Sequence, residues 1–244
     1  MSAHPAAARR LTAGVLLLAL ALPAAAGAGP DRLGALAREY REHRLAVRPD
    51  LATLAGDHRG DRRLEPVTQA SLIAEAAWLD DFARRLAALP GDGLSPPAAA
   101  ERDSLAARTV RARAEIVVAR RWEQDPTAYL DLVDGAIRTM TAPPRGSACA
   151  RTRAAADRLA RVPEVLRSAR VNLREPEPQR ADDAAAGCAR LLELCRVAVP
   201  ALGARCREPR LQADLAEADT LAVRAVEDFA RWLREDIRSA GANR

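Results

Sequence analysis

Apolar residues return every three or four positions through most of the chain, the period of a helix face packed against other helices. Leu33, Leu36, Ala37, Tyr40 and Leu45 mark such a face between Asp31 and Val47, with Arg and Glu opposite. Leu72, Ala76, Leu79, Ala83 and Leu86 mark a second, in a long helix expected from Val67 to Leu89. A third helix is expected from Ala98 to Arg121. Leu130, Val133, Ile137 and Met140 line a fourth. Ala181 to Val199 and Leu211 to Ser239 complete the set. No stretch alternates apolar and polar residues as a half-buried strand would. The pattern predicts an all-α fold, a multi-helix bundle-like array.

Proline punctuates this pattern. Asp125-Pro126 reads as a helix start, with Asp accepting from free backbone N–H groups and Pro where no hydrogen bond is lost. Pro143-Pro144 ends that helix. Pro163 interrupts an apolar pattern, so one helix is expected to end near Val162 and another to begin. Pro176 and Pro178 end the second. Pro49 opens a turn, and Leu51 to Ala55 leads into a polar loop from Gly56 to Leu64.

The N-terminus departs from the helical pattern. Arg9-Arg10 precede an apolar run from Leu11 to Leu22, Pro23 breaks it, and Ala26-Gly27-Ala28 offers small residues for cleavage. Residues 1–28 therefore read as a cleavable signal peptide, with a helical domain over 29–244. The run is shorter than the roughly 20 residues a spanning helix needs, and no other segment is apolar enough to span a membrane. A retained anchor is the alternative. The expected location is exported, periplasmic or extracellular. No Cys follows the leader, so lipidation there is not expected.

Composition adds little to function. Only 3% of the residues are aromatic, so Ala, Leu and Val must build the core. All 38 basic residues are Arg. Loss of Arg9 and Arg10 with the leader lowers the formal charge from +5 to +3, too small and too dispersed a surplus for nucleic acid.

In an exported protein the four cysteines matter. Cys188 and Cys195 share a helix face but lie roughly 10 Å apart along the axis, too far to bridge. Cys195 can meet Cys206 across a break at Pro200 and Gly203, leaving Cys149 for Cys188. The other possibility is four small, buried, free thiols.

Catalytic signatures are sparse. There are three His, at 4, 43 and 58, and no His-Glu-x-x-His motif, Gly-x-Ser-x-Gly elbow or phosphate-cradling Gly loop. The sequence thus assigns no catalytic, metal or cofactor-binding residue. Glu39, Glu42 and His43 share a helix face, and Asp131 and Asp134 lie three apart. Charged clusters at that spacing are routine on solvated helices. The loop trio Asp57, His58 and Asp61 is the better candidate, since polar loop residues carry function more often than helix faces. Phe229, Trp232, Leu233 and Ile237 form an apolar stripe near the C-terminus, which either packs on its own bundle or receives a partner.

Four blocks in order resemble a known family. The first is Pro49, Ala52 and Thr53 leading into Gly56-x-His58-x-x-Asp61-x-x-Leu64. The second is Trp122-x-x-Asp125-Pro126-x-x-Tyr129. The third is Arg158-Leu159-x-x-Val162-Pro163-x-x-Leu166-x-x-Ala169-x-x-Asn172-Leu173. The fourth is Ala225-x-x-Asp228-Phe229-x-x-Trp232-Leu233. Together, from about Leu33 to Ile237, they resemble the N-terminal half of the bacterial domain-of-unknown-function family 885, exported helical proteins similar to zinc peptidases. The resemblance places the His-Glu metal motif in a C-terminal half, so zinc is expected only there. It implies that this chain is a helical portion flanking and partly covering a catalytic cleft. It is then expected to lack catalysis of its own, as either the product of a truncated reading frame or a subunit docking on a separate catalytic half. A periplasmic module that recognises a peptide or partner helix is the alternative.

Overall fold

The computed structural model describes residues 28–142, 146–174, 176 and 178–237. The leader lies outside them. The helices run in the order α1 (Ala28–Val47), α2 (Pro49–Leu54), α3 (Gln69–Ala87), α4 (Pro96–Val117), α5 (Arg121–Gln124), α6 (Thr127–Thr141), α7 (Ala148–Leu159), α8 (Val162–Asn172), α9 (Pro178–Gly203) and α10 (Pro209–Trp232). A 3₁₀ turn at His58–Gly60 follows α2, and a π-type turn at Leu233–Ile237 follows α10. No strand occurs among the described residues, so the fold is all-α as the periodicity predicts. No described helix is long and apolar enough to cross a membrane.

Three helices begin where the sequence supplies a side-chain acceptor for free N–H groups. The Thr68 hydroxyl accepts from Ser71 N at 3.1 Å, so α3 starts at Gln69 rather than Val67. Ser147 does the same for Ala150 N at 3.1 Å and starts α7. Asp125 accepts from both the backbone N (3.0 Å) and the hydroxyl (2.5 Å) of Thr127, so the acceptor expected at Asp125-Pro126 is in place. Proline occupies the first turn of α2, α4, α8 and α10, where its missing N–H costs nothing. The expected helix to Arg121 stops at Val117. Arg120 adopts a left-handed conformation with φ 45°, and the chain restarts as α5.

Two apolar clusters result. The larger takes the inner faces of α6 to α10 together with Leu64 and Val67. Val133, Ile137, Leu159, Val226 and Phe229 at its centre are fully buried. The smaller joins α1, α3 and α4 through Leu33, Tyr40, Leu79, Phe82, Leu86 and Leu105. Tyr40 and Trp78 both pack on Phe82, with centroids 5.3 and 5.1 Å away. The 48–68 segment connects the clusters.

The cysteines pair as neither expectation had it. Cys149 and Cys206 form a disulfide, with Cα atoms 4.7 Å apart, while Cys188 and Cys195 are free and buried. The expected closure of Cys195 on Cys206 needed a helix break at Pro200. Helix α9 instead continues through Pro200 to Gly203, because Val199 and Leu202 are packed in the core on either side of it. The end of α9 at Gly203 thereby lies about 12 Å past the level of Cys195 at 1.5 Å per residue, and Cys206 just beyond it meets Cys149 at the start of α7.

Candidate functional site

The loop between α2 and α3 is built on its own polar side chains. Gly56, with φ 85°, turns the chain out of α2. Asp57 then caps the 3₁₀ turn, accepting from Arg59 N at 3.1 Å, and pairs with the Arg59 side chain at 2.7 Å. The Arg59 hydrogen bonds hold the Asp57 carboxyl down at about 2. Asp57 is thus spent on shaping the loop. His58 and Asp61 do come together: His58 Nδ1 lies 2.8 Å from Asp61 Oδ2. Asp61 Oδ1 lies 2.6 Å from Thr53 Oγ1 on α2.

Behind this pair stands a residue from α7. Arg158 is fully buried. Its Nη2 donates to Thr53 Oγ1 at 2.9 Å and to Pro49 O at 3.3 Å. Its Nη1 donates to Ala136 O at 2.6 Å and to Thr139 Oγ1 at 2.7 Å. Among the described residues no carboxylate touches it, and its Nε has no partner. Burial lowers its pKa, opposed by the charges of Asp61 and Asp50. One guanidinium therefore ties α2, α6 and α7 together, with Asp61 and His58 as an outer layer.

Two turns earlier on the same face of α7 is Arg151, 7% exposed. Its Nη1 donates to Met140 O at 3.1 Å and Ala142 O at 2.9 Å, and its Nε also lacks a partner. Between Arg151 and the loop lies a hollow of about 150 Å³, lined among others by Thr53, His58, Asp61, Thr139 and Met140.

The His43 cluster assembles differently from the sequence grouping. Glu39 binds Arg85 at 2.6 Å and is held below the usual carboxylate range by it; Glu42 is exposed. His43 instead meets Glu75 of α3 at 2.6 Å and stacks on Trp78 with ring centroids 3.5 Å apart. Beside it Glu65 pairs with Arg48 at 2.7 Å, yet burial pushes its carboxyl up to about 7. Open hollows of about 510 and 530 Å³ flank this cluster. Asp131 and Asp134 do not converge: Asp134 binds Arg138 at 2.6 Å, and Asp131 is exposed.

Of the C-terminal stripe, Phe229 and Leu233 are buried in the core, and Trp232 is half-buried against Phe229 and beneath Arg170. The Ile237 side chain lies outside the described residues. Among the described residues only Cys149, Cys206 and Glu208 come within metal-ligating reach of one another, and the two sulfurs are joined in the disulfide.

Sequence reasoning missed Arg151, Glu65 and Glu75, and placed Thr53 and Arg158 in family blocks without a role. A signal for the arginines exists. Arg151, Ala154, Ala155, Arg158 and Val162 repeat at helical spacing, so both Arg occupy positions of an otherwise small, apolar face. The blocks also meet in space. Asn172 Nδ2 donates to Tyr129 Oη at 3.0 Å and to Val67 O at 2.7 Å, and the Tyr129 hydroxyl donates to Trp122 O.

Comparison with known proteins agrees with this architecture. A family described as "Bacterial protein of unknown function (DUF885)" matches residues 49–244, and the chain belongs to it. A solved structure described as "a putative lipoprotein of unknown function from Shewanella oneidensis" shares the fold with a TM-score of 0.78 at 15% identity. The similarity covers 86% of this chain and 38% of that one, so the chain spans well under half of the neighbour's length. No curated protein matches the sequence.

Proposed function

We propose that this member of the family is an exported helical scaffold portion of a larger hydrolase-like protein. It supplies walls and a rigid base rather than reacting groups. One observation carries the proposal: the chain superimposes over most of its own length on only 38% of its structural neighbour. The arrangement of polar side chains supports it. His43, Glu75, Asp57, Asp61 and Arg158 are each engaged in ties between or within its own helices and loops. The description of the neighbour as a lipoprotein supports export, alongside the leader-like residues 1–28. The hydrolase-like character rests on the sequence resemblance.

The test uses purified residues 29–244. Zinc content and turnover of ester and peptide substrates are measured, with His58→Ala as the comparison. Neither stoichiometric zinc nor turnover is expected. Turnover that disappears in His58→Ala would overturn the proposal. Reading the frame downstream of Arg244 gives a second check, since a His-Glu motif there is expected and unrelated sequence counts against it. A partner-binding module using the C-terminal stripe has less support, because Phe229 and Leu233 face the core.

A further inference from the structure

The hollow beneath the His58 loop combines features that the scaffold role does not require. It sits between Arg151 and Asp61, close to the deeply buried Arg158. An arginine side chain stays charged in a protein, so burial is costly unless hydrogen bonds and a nearby anion offset it. Among the described residues the lining holds one guanidinium, Arg151, and one carboxylate, Asp61, while Arg158 stands behind Thr53 and Thr139. Asp61 is already committed: one oxygen lies 2.6 Å from the Thr53 hydroxyl, and that hydroxyl accepts from Arg158 at 2.9 Å. Its other oxygen lies 2.8 Å from His58 Nδ1. Asp61 therefore compensates Arg158 through Thr53. Arg151 is left with two backbone carbonyls, no ion-pair partner among the described residues and an orphaned, buried Nε.

We propose that this hollow is a binding site for a small organic carboxylate, with Arg151 as its cationic anchor. With Nη1 committed to two carbonyls, Arg151 keeps its Nε–Nη2 edge, a planar pair of donors that fits a carboxylate with two parallel hydrogen bonds. His58 is half-exposed at the mouth, with Nδ1 held by Asp61, which leaves its ring edge to approach the ligand. Met140, Leu54 and Ala142 supply an apolar wall. That wall suits a carboxylate carrying a short apolar group over a fully hydrated phosphate. A single negative charge balances the uncompensated guanidinium, whereas a divalent anion meets the repulsion of Asp61. This goes beyond the scaffold role and does not depend on it.

The test is titration of the purified chain with sodium propionate, followed by calorimetry and by ¹³C NMR of labelled propionate. Sodium chloride and sodium phosphate at matched ionic strength are the controls. Saturable propionate binding is expected, with little response to chloride and weaker binding of phosphate. Arg151→Gln is expected to lower the propionate affinity about tenfold or more, since it removes a charge-assisted pair. Because Arg151 is buried, Ala142→Leu serves as a second variant. It fills the hollow from an exposed position, so it is expected to keep the helical circular dichroism and to abolish binding. Equal effects of chloride and propionate, phosphate binding as tight as propionate, or unchanged affinity in folded Ala142→Leu protein would each overturn the proposal.

Discussion

Arg158 Nη2 on α7 and Thr53 Oγ1 on α2 meet at 2.9 Å, although 105 positions separate them in sequence. Both are buried, and between them they fix the loop that carries His58 and Asp61 onto the larger core. A buried cation held only by neutral acceptors makes the fold sensitive to what replaces it.

Arg158→Ala removes the donor from Pro49 O, Thr53, Ala136 O and Thr139 and leaves a cavity. A loss of about 3–5 kcal/mol is expected from the orphaned acceptors and lost packing. Arg158→Met fills most of the volume and spares the cost of burying a charge, so its loss is expected to be smaller. Urea unfolding of both variants checks the order. A Met variant as unstable as the Ala variant would show that the hydrogen bonds, not the packing, dominate.

Cys149 and Cys206 close a loop with a sequence separation of 57, which limits the freedom of the unfolded chain. Replacing both by Ala is expected to cost about 4 kcal/mol or somewhat less, measured by thermal or urea unfolding. Burial pushes the Cys188 thiol up to about 11, and burial with the Asp219 carboxyl beside it pushes Cys195 up to about 12. Neither should react with iodoacetamide at pH 8 in the folded protein. Mass spectrometry of unreduced, denatured protein should show two alkylated cysteines, at 188 and 195.

Glu65 binds protons more tightly in the folded state than in the unfolded one, because burial outweighs the pull of Arg48 and raises its pKa to about 7 from 4.5. Between those values the native state holds more protons than the unfolded state. Stability contributed by Glu65 is therefore greatest below about pH 4.5 and falls as pH rises towards 7, by on the order of 2–3 kcal/mol. Glu65→Gln should flatten that part of the stability–pH curve, as measured by urea midpoints between pH 4.5 and 7.5. A slope of the same size in the variant would assign it to another group.

Tyr129→Phe tests the contact between the Trp122–Tyr129 and Asn172 blocks. The Tyr129 hydroxyl accepts from Asn172 Nδ2 at 3.0 Å and donates to Trp122 O. Its removal takes the hydroxyl donor from the Trp122 carbonyl and weakens the hold on buried Asn172, at an expected cost of about 1–3 kcal/mol. Calorimetric unfolding measures it. The near-ultraviolet circular dichroism of Trp122 should change as well.

How far the candidate site could be read from the sequence depended on distance along the chain. His58 and Asp61 are three residues apart, so their pairing is a local matter that a polar loop makes visible. Thr53 sits one helix earlier and looked like part of a turn. Arg151 and Arg158 were hidden for a different reason. Arginine is so frequent here, and so usually exposed, that the sequence does not mark Arg151, or the burial of Arg158 within its block, as anything but surface charge. Glu39, Glu42 and His43 show the converse: they share a helix, but each side chain was claimed by something else or by solvent.

The sequence by itself determined the helices, since spacing of Leu, Val and Ala at three and four, with Asp, Ser or Thr at the starts and Pro in the first turns, is decided by short-range geometry. It also carried the family, through short blocks that tertiary structure later joined at Arg158, Tyr129 and Asn172. Only the tertiary structure decided the cysteine pairing, the meeting of His43 with Glu75, and the burial of the Arg151 and Arg158 guanidinium groups. Those depend on how whole helices pack. Packing at Val199 and Leu202 carried α9 through Pro200, against the local tendency of proline to end a helix, and so delivered Cys206 to Cys149.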